Sequence, residues 1–138
     1  MTITRQADYA VRLVLCLARR EGRKVATVDE VSKECLIPKS FTAKIFQRLS
    51  HAGITSSRRG VRGGFVLAKD PRYISLLDVV QAIDGPMEVN RCVVDGGACE
   101  LSHTCVIHPI WVDIHGDIVR RLAGIDFEFL RSKKIPPS

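Results

Sequence analysis

No apolar run in this chain approaches the roughly 18 to 20 residues needed to span a bilayer. The longest, Leu13 to Ala18, stops far short and lacks the flanks of a secretory signal, so a cytoplasmic protein with no membrane contact is expected. Signatures of catalysis are missing too. There is no Ser/His/Asp arrangement, close carboxylate pair or dinucleotide fingerprint, and the glycine-rich stretch around 60–64 lacks the Lys-Ser/Thr of a phosphate loop. These absences argue against an enzyme. With 138 residues and 46% hydrophobic content, the chain can build one compact core plus an appendage.

Charge is divided along the chain. Residues 1–72 carry 15 Lys/Arg against 6 Asp/Glu, a net of +9, whereas residues 73–138 carry 6 against 9, a net of −3. The basic half is the candidate for binding a polyanion, since lysine and arginine release counterions from nucleic-acid phosphates.

Helical periodicity over 3–20 places Ile3, Ala7, Ala10, Val11, Val14, Leu17 and Ala18 on one face, ended by Gly22. Thr27 and Glu30 have capping-box spacing ahead of a short helix at about 28–35. Ile37-Pro38 then opens a third helix with Phe41, Ile45, Phe46 and Leu49 on its apolar face, and Gly53 terminates it. Its other face shows Lys39, Ser40, Thr42, Ala43, Lys44 and Gln47. Two short helices joined by a tight turn, the second with a polar and basic outer face, make a helix-turn-helix.

Residues 57–67 are too rich in glycine for a helix and suit a hairpin, with Arg58, Arg59 and Arg62 projecting from its tip. Ser75 and Asp78 cap a fourth helix that runs to Asp84-Gly85-Pro86. An irregular stretch follows. A long helix at about 104–124 then carries Ile107, Trp111, Ile114, Ile118, Leu122 and Ile125 as a seam suited to pairing with a second copy. The expected architecture is mainly α with a small β-wing. Residues 1–85 form a winged helix-turn-helix domain, 86–106 a ligand-binding loop, 104–130 a dimerisation helix and 131–138 a disordered tail.

Five cysteines without a secretory signal are unsuited to a disulfide framework, because the cytosol keeps thiols reduced. Cys16 and Cys35 fall among apolar residues in helical patterns and read as buried, inert thiols. Cys92, Cys99 and Cys105 differ: six and five residues separate them in a loop with Gly96 and Gly97, so three thiolates can converge. Three soft donors suit an iron–sulfur cluster or zinc. His108 lies one helical turn beyond Cys105 and can supply a fourth ligand from the same chain. His103 and Glu100 stand in reserve, and His51 and His115 read as ordinary surface or packing residues.

The segments Thr4-Arg5-Gln6-Ala7-Asp8-Tyr9-Ala10-Val11-Arg12 and Arg58-Arg59-Gly60-Val61-Arg62-Gly63-Gly64-Phe65, with the spaced cysteines, resemble the Rrf2 family of bacterial regulators of the IscR/NsrR-like kind, over about residues 2–125. The resemblance implies a cytoplasmic homodimer on a palindromic operator in double-stranded DNA. Residues 38–48 (Pro38, Lys39, Ser40, Thr42, Ala43, Lys44 and Arg48 among them) would lie in the major groove and Arg59 in the minor groove. IscR-like members carry a base-selecting glutamate where this chain has Ala43, which implies a different operator. The cofactor implied is a two-iron or four-iron cluster on Cys92, Cys99 and Cys105, with the fourth ligand either His108, in the IscR-like position, or Asp8, in the position of the NsrR-like carboxylate from the partner subunit. Cluster loss or redox change would then alter the spacing of the two reading heads. A zinc site or thiol switch in place of the cluster, and a small iron–sulfur redox protein, are the alternative readings.

Overall fold

The computed structural model describes residues 2–20, 24–61, 63–94, 100–101 and 103–133, with Val94 described by its backbone alone. Helix α1 (Arg5–Ala18) starts where the Thr4 hydroxyl accepts a hydrogen bond from the Ala7 N–H at 3.1 Å. The cap leaves Ile3 exposed outside the helix, while Ala7, Ala10, Leu13, Val14, Leu17 and Ala18 form its buried face. Gly22, the expected terminator, lies outside the described residues.

Thr27 caps α2 (Val28–Cys35) by accepting from the Glu30 N–H, and the Glu30 carboxylate turns to Arg20, 3.6 Å away. Helix α2 ends at Leu36, whose backbone is left-handed (φ 55°), with the Ile37 N–H returning to the Ser32 carbonyl. This C-terminal turn redirects the chain so that buried Ile37 and exposed Pro38 lead into α3 (Lys39–His51). The buried face of α3 comprises Thr42, Ile45, Phe46 and Leu49. Phe41, expected in the core, is exposed and meets Tyr9 edge-on at 6.2 Å. Thr42 occupies the interior position instead, its hydroxyl donating to the Pro38 carbonyl.

Strands β1 (Thr55–Arg58) and β2 (Gly64–Leu67) pair antiparallel, with Arg58 opposite Gly64. The linker before α2 adds a third edge, since Ala26 and Phe65 exchange hydrogen bonds of 2.9 and 2.8 Å. This approach needs a glycine at 64, where a Cβ would lie 2.2 Å from the Ala26 carbonyl oxygen. The Phe65 ring stacks on Phe46 at 4.5 Å, which packs the hairpin against α3.

After a 3-10 turn (Pro71–Tyr73), α4 (Leu76–Asp84) begins with both arms of a Ser75/Asp78 capping box and with Ile74 and Val79 fully buried. A short helix, α5 (Arg91–Val94), interrupts the stretch expected to be irregular. Helix α6 (His108–Ala123) starts at His108 rather than near 104; Pro109 suits a first turn and disfavours helix on its N-terminal side. The chain does not continue α6 to residue 130. Asp126 caps a separate helix, α7 (Phe127–Ser132), through the Phe129 N–H, and buried Phe127 donates its N–H to the Ile74 carbonyl. Arg131, expected in a disordered tail, donates to the Ala18 carbonyl at the end of α1, while residues 134–138 lie outside the described residues. Among the described residues, no helix is long and apolar enough to cross a membrane.

Gly64→Ala should sever the Ala26–Phe65 pairing and destabilise the fold by about 2 kcal/mol. The check is a lowered urea midpoint with an unchanged denaturant slope; an unaltered midpoint would show that the close approach is dispensable.

Candidate nucleic-acid interface and cysteine site

The outer surface of α3 presents Lys39, Ser40, Lys44 and Gln47 to solvent, with Ala43 half-buried among them and Pro38 exposed at the helix start. Lys39 pairs with Asp29 of α2 at 2.7 Å. Its hydrogen bond and charge hold the Asp29 carboxyl below the usual carboxylate range, pinning the start of α3 to α2 across the turn. Lys44, Arg58 and Arg59 have no carboxylate partner among the described residues. Arg58 and Arg59 are exposed where β1 leaves for the tip, and Gly60 (φ 127°) turns the chain, its carbonyl accepting from Gly63. Arg62 lies outside the described residues.

Two residues expected on this surface are turned away from it. Thr42 is fully buried. The Arg48 guanidinium reaches back to the Ile83 carbonyl of α4 and to Gln6 of α1, which makes it a strut between helices. The family resemblance puts Arg48 among the groove-facing residues, and nothing local reveals that Ile83 offers it an acceptor.

The second site lies where α5 meets α6. Cys92 of α5 and His108, the first residue of α6, come together with Sγ and Nδ1 3.3 Å apart, a contact across 16 residues of sequence. Cys105 is half-buried three residues before His108, and Cys99 lies outside the described residues. No group of three metal-ligating side chains converges among the described residues. His103 and Glu100 are exposed. Asp8 is exposed on α1, its carboxylate held by Arg12 one turn on at 2.7 Å.

Cys16 and Cys35 are not sealed in the core as their apolar surroundings suggest. Both are half-exposed and line one cavity where α1 packs on α2, the Cys16 thiol donating to Glu34 at 2.8 Å. This juxtaposition could be read only once α1 and α2 were known to pack.

The family model described as iron-dependent transcriptional regulators, Rrf2, matches residues 3–132. The HTH-type transcriptional regulator IscR of Escherichia coli K12 is 32% identical over 114 residues, covering 83% of this chain and 70% of the relative. Among solved structures, CymR, the global cysteine regulator of B. subtilis, superposes with a TM-score of 0.78 at 21% identity, over 98% of this chain and 99% of that one. IscR of T. potens gives a TM-score of 0.75 at 19% identity, over 94% and 85%. These superpositions identify the fold as that of the winged-helix regulators.

Proposed function

The chain belongs to the Rrf2 family and is a DNA-binding transcriptional regulator rather than an enzyme, and we propose that it acts as a homodimer on a palindromic operator under the control of an iron–sulfur cluster. The DNA-facing surface in this reading is formed by α3 and the hairpin packed against it. Lys39, Ser40, Ala43, Lys44 and Gln47 would face major-groove base edges and phosphates. Arg59 would enter the adjoining minor groove, whose negative potential is strongest where it narrows, with Arg58 and Arg62 as further DNA-contacting candidates.

Pairing of two copies is supported by α6. None of its residues is fully buried by its own domain, and Ile107, Ile110 and Ile114, spaced three and four residues apart, are 45%, 47% and 38% exposed. The expected seam divides. Ile118 and Leu122, joined by Val119, pack on the core, whereas the N-terminal half remains open to a second chain.

The observation that carries the cluster reading is the contact between His108 Nδ1 and Cys92 Sγ. Cys92, Cys99 and Cys105 would be the thiolate ligands and His108 the fourth, a mixed sulfur and imidazole set that iron–sulfur centres accept. Asp8 is the weaker candidate, because its carboxylate would first have to leave Arg12. When bound, the cluster would supply a group sensitive to redox state, nitric oxide or iron–sulfur status. The protein residues would tie α5 to the first turn of α6, next to the exposed row at the proposed dimer contact.

Anaerobically purified protein should be brown, Cys92→Ser, Cys99→Ser and Cys105→Ser should each remove the chromophore, and His108→Ala should shift its absorption spectrum while Asp8→Ala leaves it intact. Colourless protein carrying zinc would replace the cluster with a zinc site. Arg59→Ala should weaken operator binding and reduce the slope of log K against log salt by about 0.9, one phosphate's worth of counterion release; an unchanged slope and affinity would remove the wing from the interface. In sedimentation, Ile110→Glu combined with Ile114→Glu should halve the mass, and a dimer that survives both would move the contact elsewhere.

A further inference from the structure

The meeting of Cys16 and Cys35 is unused by the reading above. Both side chains line one cavity where α1 packs on α2. The Cys16 thiol also donates to Glu34 Oε2 at 2.8 Å, while Glu34 Oε1 accepts from Arg20 at 2.7 Å. The Cys35 thiol reaches the Arg12 carbonyl at 3.7 Å. Both cysteines open onto a cavity of about 510 Å³ lined also by Arg12, Arg19, Arg20 and Glu34.

We propose that Cys16 and Cys35 form a redox-active dithiol that closes to a reversible disulfide by exchange with an anionic low-molecular-weight disulfide, Cys35 attacking and Cys16 resolving. The two thiols are differentiated. The Cys35 thiol donates only to a neutral backbone carbonyl, and the charges of Arg12 and Arg20 favour its thiolate. The Cys16 thiol instead donates to the Glu34 carboxylate, which together with burial keeps it protonated until called on. The attacking group is therefore the one that most readily becomes thiolate.

In the first step the Cys35 thiolate attacks one sulfur of the reagent, whose S–S bond breaks, giving a mixed disulfide and a departing thiolate. In the second, Cys16 passes its proton to Glu34 and its sulfur attacks the Cys35 sulfur, expelling the second thiolate. Two protein thiols lose two electrons and two protons, and one small disulfide becomes two thiols. The three arginines around the cavity match the carboxylates of such a reagent. The new bond would join α1 to the last residue of α2, immediately before the Leu36 turn. This inference depends on neither the cluster nor the operator.

The test uses anaerobically prepared full-length protein incubated with glutathione disulfide, quenched in acid, alkylated and digested with trypsin without reduction. Mass spectrometry should find peptide Leu13–Arg19 linked to Glu34–Lys39; the other three cysteines all reside on Cys92–Arg120 and cannot be confused with this pair. Recovery of both short peptides alkylated, or carrying only glutathione, would overturn the proposal. Cys16→Ser should trap glutathione on Cys35, whereas in Cys35→Ser the Cys16 adduct should form at least about tenfold more slowly. Equal rates would overturn the assigned order of attack. An uncharged probe, 2-hydroxyethyl disulfide, should react more slowly than glutathione disulfide with the unmodified chain, and a rate as fast would remove the arginines from recognition.

Discussion

The stack of Phe46 on Phe65 is the contact on which the proposed DNA-facing surface depends. One ring comes from the buried face of α3 and the other from the strand that leads out of the hairpin tip, so their contact sets the angle between α3 and the hairpin. The stack cannot be had without the glycine beside it. Gly64 lets the strand come against Ala26, and that pairing brings Phe65 over α3 while fastening the linker that leads into α2. Helix-turn-helix and hairpin are thus closed into one unit by a ring contact, two backbone hydrogen bonds and a missing side chain.

A second closure joins the ends of the chain. Thr4 uses its hydroxyl both to cap α1 and to donate to Asp84, the last residue of α4, and its N–H donates to the same carboxylate. At the far end, α7 lies against α1 and fastens its start to Ile74, just ahead of α4. Helices α1 and α4 are therefore held at both ends. The cysteine-bearing segment departs just after Asp84 and returns through α6, so it hangs from the best-secured part of the domain.

What could be read from the sequence was whatever is decided locally. The caps at Thr27 and Ser75, the Ile37-Pro38 start and the Gly53 stop act over three or four residues, and the corresponding helices lie where the spacing puts them. The glycine-rich arginine hairpin was legible for the same reason. Phe41 and Thr42 exchanged roles because Tyr9, far away in sequence, offers Phe41 a surface partner. Helix α7 was invisible as a separate element: six residues are too few to show a period, and Phe127 is buried only by distant elements. Of the cysteine site, spacing showed which residues could act together, and the fold added the Cys92 to His108 contact. Arg48 and the Cys16–Cys35 pair depend on neighbours from other helices, which no local pattern announces.

Helix α6 is fastened unevenly. Ile118, Val119 and Leu122 grip the core near its C-terminal end, where α7 folds back, while its first turns carry exposed isoleucines and the histidine that touches Cys92. Mechanically this is a lever with its fulcrum at one end and its handle at the cysteine site. About eleven residues separate that grip from His108, an arm roughly 17 Å long, so a tilt of about 5° at the fulcrum carries the handle about 1.5 Å. On the proposed reading, small rearrangements beside Cys92 would be matched to angular changes at the base of the domain to which α3 also belongs.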